Sequence, residues 1–156
     1  MYYIKRKKKK PAEGQRKPGK KNKVDLVKKL DRIFSLFIRL RDVMPSGYGK
    51  CISCGRIKHF TDGDCGHFYS RKHMATRFDE DNCHFECKGC NRFSSDHLIS
   101  YQTNLIRKIG MGRFELLGVK SHQTRKWSDF ELEALIKHYK GEVKRLSLDK
   151  GISVNI

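Results

Sequence analysis

The chain has 156 residues, of which 37% are hydrophobic and 33% charged, and its formal net charge is +18. This length predicts one modest domain with tails, and the thin apolar core favours a structural metal. No apolar run reaches the roughly 20 residues needed to cross a bilayer, and no apolar signal-peptide core follows the N-terminus. We therefore expect a cytoplasmic protein with no membrane partner, whose cysteines bind metal rather than form disulfides. The excess of positive charge favours a polyanion partner, DNA or RNA; a solvated basic surface is the alternative.

Three segments are predicted along the chain. Residues 1–22 form a disordered basic tail, because Lys5 to Lys10 is an unbroken cationic run with almost no apolar content. Its Lys7, Lys8 and Lys9 could neutralise phosphates; a solubility tail or a localisation signal is the alternative. Residues 23–148 form a single zinc-stabilised domain, and residues 149–156 form a frayed tail.

The predicted fold class is α+β, mostly helical outside a small core. Apolar side chains at helical spacing predict helices over about 24–44 and 89–108, with a short one near 113–119. A capping box from Ser128 to Glu131 starts the last amphipathic helix. Between 49 and 85 we expect short strands and turns, with a hairpin strand at 66–69 and a loop at 71–81.

Two Cys-x-x-Cys pairs flank this strand region, Cys51 with Cys54 and Cys87 with Cys90. Zinc prefers four such ligands in a tetrahedron, so the pairs predict a zinc site. The first pair is predicted to form a zinc knuckle, and the second pair is predicted to lie at the start of a helix. This combination is typical of a treble clef. Two further cysteines stay open: Cys65 and Cys83 are either buried thiols or ligands, one replacing a cysteine above or entering a second metal site.

A closed four-cysteine zinc site has no open coordination position, so any chemistry must come from other residues. The candidate is His67, which lies between Asp64 and Arg71, with Asn82 before the second cysteine pair and Asn91 directly after it. A neutral imidazole can accept a proton from water at neutral pH. The alternative for His67 is a histidine that stabilises the hairpin or replaces a cysteine at zinc.

This pattern resembles the HNH, or ββα-metal, nucleases built on a treble clef. The resemblance implies that His67 is the general base, that Asn82 orients it through a backbone carbonyl, and that Asn91 holds a catalytic magnesium or manganese ion. Many HNH motifs have an aspartate directly before the histidine as a second ligand, and here that position is Gly66. Asp64, Asp96 or His97 could complete the ligand set.

A longer set of motifs is similar to the NinG/Rap recombination proteins of lambdoid phages, over roughly residues 24–148. It comprises Arg-Leu-Arg-Asp at 39–42, Cys-x-x-Cys-Gly at 51–55, Cys-Gly-His-Phe-Tyr-Ser-Arg at 65–71, Thr-Arg-Phe-Asp-Glu-Asp-Asn at 76–82 and Cys-Lys-Gly-Cys-Asn-Arg-Phe at 87–93. The resemblance implies a structure-specific DNA endonuclease that acts on Holliday junctions and D-loops. It also implies a phage or prophage protein in a bacterial host. The basic residues expected to contact DNA are Arg71, Lys72, Arg77 and Arg92, together with the tail lysines.

Two other functions are compatible with the sequence. A non-catalytic zinc module that binds DNA or RNA as a recombination accessory explains the charge and the cysteines, although it leaves His67, Asn82 and Asn91 together without a role. A protein-interaction zinc domain, in which the charge is incidental, is the third. Symmetric cutting of a junction would suggest a homodimer, with the amphipathic helices outside the zinc core as the contact.

Overall fold

A computed structural model describes residues 23–155 of the chain, with side chains from residue 26 onward. The predicted tail, including Lys7, Lys8 and Lys9, lies outside these residues. The predicted mixture of helices and small antiparallel sheets is confirmed. In chain order the described elements are α1 Lys23–Asp42, β1 Tyr48–Lys50, β2 Ile57–His59, a 3-10 turn Phe60–Asp62, β3 Gly63–His67, β4 Cys83–Cys87, α2 Lys88–Phe93, α3 His97–Ile109, α4 Met111–Ser121 and α5 Asp129–Lys150.

The long helices α1 and α5 pack against each other and supply most of the main core. Each has apolar side chains at helical spacing, which form one continuous stripe. The rings of Phe34 and Tyr139 meet edge to face with centroids 4.9 Å apart. The buried residues of the two stripes are Leu26, Leu30, Ile33, Phe34, Phe37, Ile38, Leu40, Leu132, Ile136, Tyr139, Val143 and Leu146.

Both ends of α5 have local signals that the sequence shows. The predicted capping box is present, since the Ser128 side chain accepts from the N–H of Glu131 and the Glu131 carboxylate accepts from the N–H of Ser128 at 2.7 Å. Gly151 ends the helix in the left-handed region, with φ +65°, where a glycine avoids the strain of a Cβ atom.

The chain after residue 148 contacts the domain. The helix extends two residues past the predicted boundary, and Lys150 Nζ donates to the carbonyl oxygens of Leu40 at 2.6 Å and Val43 at 2.5 Å. These lysine contacts satisfy carbonyl groups at the end of α1, which have no partner within that helix. Beyond the helix, two apolar side chains pack against the main core, Ile152 and Val154. The segment predicted to be frayed therefore begins inside a helix.

Two antiparallel hairpins lie between α1 and α2. In the first, β1 pairs with β2 from Tyr48↔His59 to Lys50↔Ile57, and the turn between them contains the first cysteine pair. In the second, β3 pairs with β4 from Gly63↔Cys87 to His67↔Cys83. The strand predicted at 66–69 thus runs from Gly63 to His67, and residues 68–82 form a long connection of turns. His67 consequently lies at the end of its strand, where the hairpin opens.

The single helix predicted over 89–108 is wrong, because it is two helices. Ser94 leaves the helical region with φ −99° and ψ 121°, and α3 starts again at His97. The apolar stripe that predicted one helix does not hold across the break: Phe93 is 84% exposed and Leu98 is 40% exposed. Gly110 ends α3 as predicted, with φ +83°.

A second small core lies beneath α3 and α4. Tyr101 and Leu105 of α3 pack with Leu117 of α4 and with Ile52 from the first cysteine turn. The hydroxyl of buried Tyr101 donates to the Gly66 carbonyl oxygen at 2.9 Å, so α3 is fixed against β3. This core connects the helices that follow the second cysteine pair to the turn that carries the first.

A buried polar network joins α1 to the second hairpin. Asp42 accepts from the N–H of Phe85 at 2.9 Å and from Lys108 Nζ at 3.2 Å, while Arg41 donates to the Cys83 carbonyl at 2.7 Å. The network connects α1, β4 and α3. Across residues 23–155, none of the helices has both the length and the apolar character that a bilayer crossing requires.

Candidate metal centre and adjoining groove

The two cysteine pairs converge on one point. Their four sulfur atoms lie within 4.8 Å of one another, so the group could hold a metal ion. The Sγ atoms of Cys54 and Cys87 are 3.8 Å apart. A tetrahedral zinc ion with Zn–S bonds of about 2.3 Å separates its sulfurs by about 3.8 Å. The donor set and the spacing are therefore consistent with zinc.

Hydrogen bonds to sulfur favour the thiolate form that a metal requires. The backbone N–H of Cys87 donates to Cys51 Sγ at 3.3 Å, and Arg56 Nε donates to Cys54 Sγ at 3.3 Å. Burial raises the pKa of the Cys54 thiol, but hydrogen bonds from Arg56, Cys90 and Cys51 outweigh it and bring the pKa to about 6. At Cys51 burial outweighs the hydrogen bonds and raises the pKa. Gly55, with φ +72°, makes the tight turn that brings this pair together.

A groove opens beside the cysteine cluster. It is a cavity of about 530 Å³ between α1, the end of β3 and α2. Predicted site residues from three parts of the sequence line it: Asp64, His67, Arg71, Asn91 and Arg92. A smaller adjoining cavity of about 250 Å³ shares His67, Arg71 and Asn91 and adds His97. The hairpin and α2 thus bring these residues together, separately from the four cysteines.

His67 is a partly buried histidine with a carbonyl oxygen near each ring nitrogen. Its Nδ1 lies 3.1 Å from the Cys65 oxygen and its Nε2 lies 3.1 Å from the Arg77 oxygen. A neutral ring has one N–H and donates to only one of them, which leaves the other nitrogen with its lone pair. Burial lowers the pKa of His67 below 6.5, against the raising effect of the two carbonyls. The neutral form, which a general base needs, is therefore favoured at neutral pH.

Asn82 is fully buried and acts on the loop rather than on the His67 ring. Its Nδ2 donates to the carbonyl oxygens of Tyr69 and Thr76, each at 2.9 Å, and its Oδ1 accepts from the N–H of Tyr69 at 2.7 Å. Thr76 precedes Arg77, whose carbonyl faces His67 Nε2. Asn82 therefore fixes the loop that presents a carbonyl group to the histidine.

Asp64 already has two partners in the groove. Asn91 Nδ2 donates to its Oδ2 at 3.0 Å, and Arg92 binds both carboxylate oxygens, at 2.7 and 2.8 Å. Burial raises the pKa of Asp64, but the hydrogen bonds from Arg92 and Asn91 lower it overall. Asp64 is thus an ionised carboxylate used to position α2, while Asn91 keeps its carbonyl oxygen as a possible ligand atom.

The basic residues predicted to contact DNA differ in their surroundings. Arg71 and Lys72 are both exposed, and Arg71 lines the groove. Arg77 is engaged inside the protein, because its guanidinium binds Asp31 at 2.5 and 2.9 Å and the Arg71 carbonyl at 2.9 Å. Arg77 therefore holds the loop against α1 in this structure.

Of the two remaining cysteines, Cys65 lines the groove. Cys65 and Cys83 both belong to the main core, and burial raises the pKa of Cys83 well above its ordinary value. Together with His67 they form a second group that could hold a metal ion, with ligand atoms within 4.8 Å of one another. Both interpretations of this pair, buried thiols or ligands, thus have a structural basis.

The sequence prediction did not include Glu86. This residue lies between Phe85 and Cys87 on β4 and is fully buried. Its Oε1 accepts from Ser53 Oγ at 2.5 Å and lies 2.7 Å from His97 Nδ1. The sequence offers one signal for it: Glu86 is a lone carboxylate in a strand whose other residues are apolar, cysteine or histidine. A buried carboxylate seldom lacks a partner, so this position indicates a specific contact.

Comparison with known proteins identifies relatives among phages. The family model described as "Bacteriophage Lambda NinG protein" matches residues 3–149. Protein ninG of Salmonella phage P22 is 31% identical over 77% of this chain and 57% of its own length. Protein ninG of Escherichia phage 933W gives the same figures, and that of Escherichia phage lambda is 30% identical over 77% of this chain and 56% of its own length. The chain therefore spans about half the length of these curated relatives. No solved structure matches it.

Proposed function

Because this chain belongs to the NinG family of bacteriophage proteins, we propose that it is a structure-specific DNA endonuclease of the HNH type. In this proposal it hydrolyses phosphodiesters at branched recombination intermediates, such as Holliday junctions and D-loops, in the cytoplasm of a bacterial host. One observation carries the proposal: His67, Asn91, Arg71 and Asp64 line a single open cavity beside a four-cysteine cluster. The formal charge of +18 supports a polyanionic substrate.

The proposed division of labour follows from the surroundings of each group. The four cysteines hold a structural zinc ion and connect the first hairpin to α2, as in a treble clef. His67 accepts the proton of a water molecule whose oxygen attacks phosphorus; the bond to the bridging oxygen breaks, and the released alkoxide takes its proton from solvent water. Arg71, which is exposed and lines the groove, binds a non-bridging oxygen. Asn91 would hold a magnesium or manganese ion, which would neutralise charge on the phosphate.

Recognition of a branched substrate would rest on charge and shape, since phosphate contacts carry no base sequence information. The proposed phosphate contacts are the exposed Arg71 and Lys72 and the tail lysines at 7–9. Each neutralised phosphate contributes about −0.9 to the slope of log affinity against log salt for duplex DNA. Lys72→Ala is therefore expected to reduce that slope by about 1 without changing preference among sequences.

Cleavage of a synthetic four-way junction by the pure, zinc-loaded protein tests the proposal, with a linear duplex of equal length as the comparison substrate. We expect cutting of the junction with magnesium present and none with magnesium omitted. His67→Ala should lower the rate by about 100- to 10,000-fold while junction binding is kept. The matched control is His138→Ala, which removes an exposed histidine of α5 whose ring meets Tyr139 edge to face. Unchanged cutting by the His67 variant would reject the assigned base.

One observation favours a second candidate, a non-catalytic zinc-containing protein that binds DNA or RNA as a recombination accessory. Each ring nitrogen of His67 faces a backbone carbonyl at 3.1 Å, which is the arrangement expected of a histidine that stabilises a hairpin. This candidate predicts a band shift with the junction and no cleavage under any metal. The same assay therefore separates the two functions.

A further inference from the structure

The backbone at Gly66 leaves room for a carboxylate from the neighbouring strand. A Cβ atom added at Gly66 would lie 2.8 Å from Glu86 Cβ and 3.1 Å from Glu86 Cδ, and it would overlap Glu86 Oε2. Real Cβ atoms show no approach this close. The space that a side chain at position 66 would fill is therefore occupied by Glu86.

Glu86 is a buried acid with one unused oxygen. It is 0% exposed, and its Oε1 is shared by Ser53 Oγ and His97 Nδ1. Within residues 26–155, its Oε2 has no hydrogen-bond partner. A buried carboxylate with an unpaired oxygen is costly unless positive charge lies near it. The described partners provide one hydroxyl and one imidazole.

His97 connects this carboxylate to the groove. It is the first residue of α3, its side chain is 18% exposed, and it lines the smaller cavity together with His67, Asn91 and Arg71. His97 Nδ1 lies 2.7 Å from Glu86 Oε1, and a carboxylate oxygen accepts from the imidazole tautomer that carries its proton on Nδ1. The hydrogen bond fixes the ring and leaves Nε2 as the nitrogen available to a ligand.

We propose that His97 Nε2, oriented by Glu86, is a ligand of the divalent cation in the groove, with the Asn91 carbonyl oxygen as its neighbour. This inference rests on the proposed function and names the cation's ligand. A histidine that binds metal nearly always donates its other N–H to a carboxylate or a carbonyl. A cation on the far side of the ring also supplies the positive charge that buried Glu86 otherwise lacks.

The other acids near the groove fit this role less well. Asp64 is bound on both oxygens by Arg92 and on one by Asn91. Asp96 lies exposed before α3 and accepts from Ser95 Oγ at 3.1 Å. An imidazole ligand favours first-row transition ions over magnesium, so the cation site should bind manganese more tightly than magnesium.

Manganese binding by the full-length, zinc-loaded protein tests this inference without any cleavage. The protein is titrated with Mn²⁺ while electron paramagnetic resonance measures the concentration of free Mn²⁺, and Mg²⁺ is then added as a competitor. We expect His97→Ala to weaken Mn²⁺ binding by at least tenfold, and Glu86→Gln to weaken it by about 10- to 100-fold. The control His138→Ala should bind as the native chain does, and imidazole added to His97→Ala should restore part of the affinity.

The outcomes separate this inference from the proposed function. Unchanged Mn²⁺ binding in His97→Ala, or no Mn²⁺ binding by the native chain, overturns the ligand assignment. Zinc content and the thermal unfolding midpoint show whether each variant is folded; if His97→Ala is not, the same titration on His97→Gln decides. Loss of Mn²⁺ binding supports the inference even where no substrate is cut, because the measurement contains no DNA. Absence of cleavage with intact Mn²⁺ binding refutes only the nuclease.

Discussion

The close approach of Glu86 to Gly66 makes a specific prediction about stability. In Gly66→Ala the new Cβ would overlap Glu86 Oε2 and lie 2.8 Å from Glu86 Cβ. The glutamate is fully buried and held by Ser53 and His97, so it has little freedom to move. Overpacking of this kind costs about 1–3 kcal/mol. For a chain of this size, each kcal/mol lowers the unfolding midpoint by about 2–4 °C, so a decrease of about 2–12 °C is expected.

Thermal and urea unfolding with zinc at a fixed saturating concentration measure this effect. The matched control is Gly141→Ala, at an exposed position of α5 where an added Cβ meets nothing within 4 Å. That variant should be stabilised by up to about 1 kcal/mol, because alanine is the better helix former. In the Glu86→Ala background, the cost of Gly66→Ala should largely disappear. An equal cost in both backgrounds would show that Glu86 is not the cause.

Three further predictions concern buried charge, acidity and metal. Asp42→Asn should destabilise the fold by about 1.5–3 kcal/mol at pH 7, since it weakens hydrogen bonds between charged groups. Burial raises the pKa of Asp42, but His84 and Arg41 hold it well below its usual range, so urea unfolding should show the stabilisation fading as pH falls below about 4. Burial lowers the pKa of His67, and because a base acts when unprotonated, initial rates of junction cleavage should stay high down to about pH 6.5 and fall only below it. Metal analysis should find one tightly bound zinc ion per chain. Cys87→Ser should lose both this zinc ion and the cooperative unfolding transition. Two zinc ions per chain would assign His67 to a second metal site with Cys65 and Cys83.

The surroundings of the groove explain why glycine suits position 66. The HNH-like resemblance places an acidic residue there in many proteins, and in this chain the neighbouring strand fills the same space with a carboxylate. An acid at both positions would put two carboxylates in contact, which is unfavourable because like charges that close cannot both ionise easily. Gly66 and Glu86 are therefore expected to function as a pair.

Much of the fold follows from local patterns in the sequence. The spacing of Cys51, Cys54, Cys87 and Cys90 predicts one metal cluster, because each pair brings two sulfurs together within a single turn. The apolar periodicity of α1 and α5, and the capping box at Ser128, depend only on neighbours within a few residues. Such features survive in any tertiary arrangement that buries the same stripes, so the sequence alone predicts them.

The tertiary structure decided which distant residues meet. Arg92 binds Asp64, 28 positions earlier in the chain, and so removes a carboxylate that the sequence left open as a metal ligand. Glu86 meets Ser53 and His97 in a buried contact that no local pattern indicates. Phe93 is exposed because the helix breaks after it, although its spacing matches a buried stripe. Partner choice and burial depend on chain packing over long sequence separations, which periodicity and short motifs do not record.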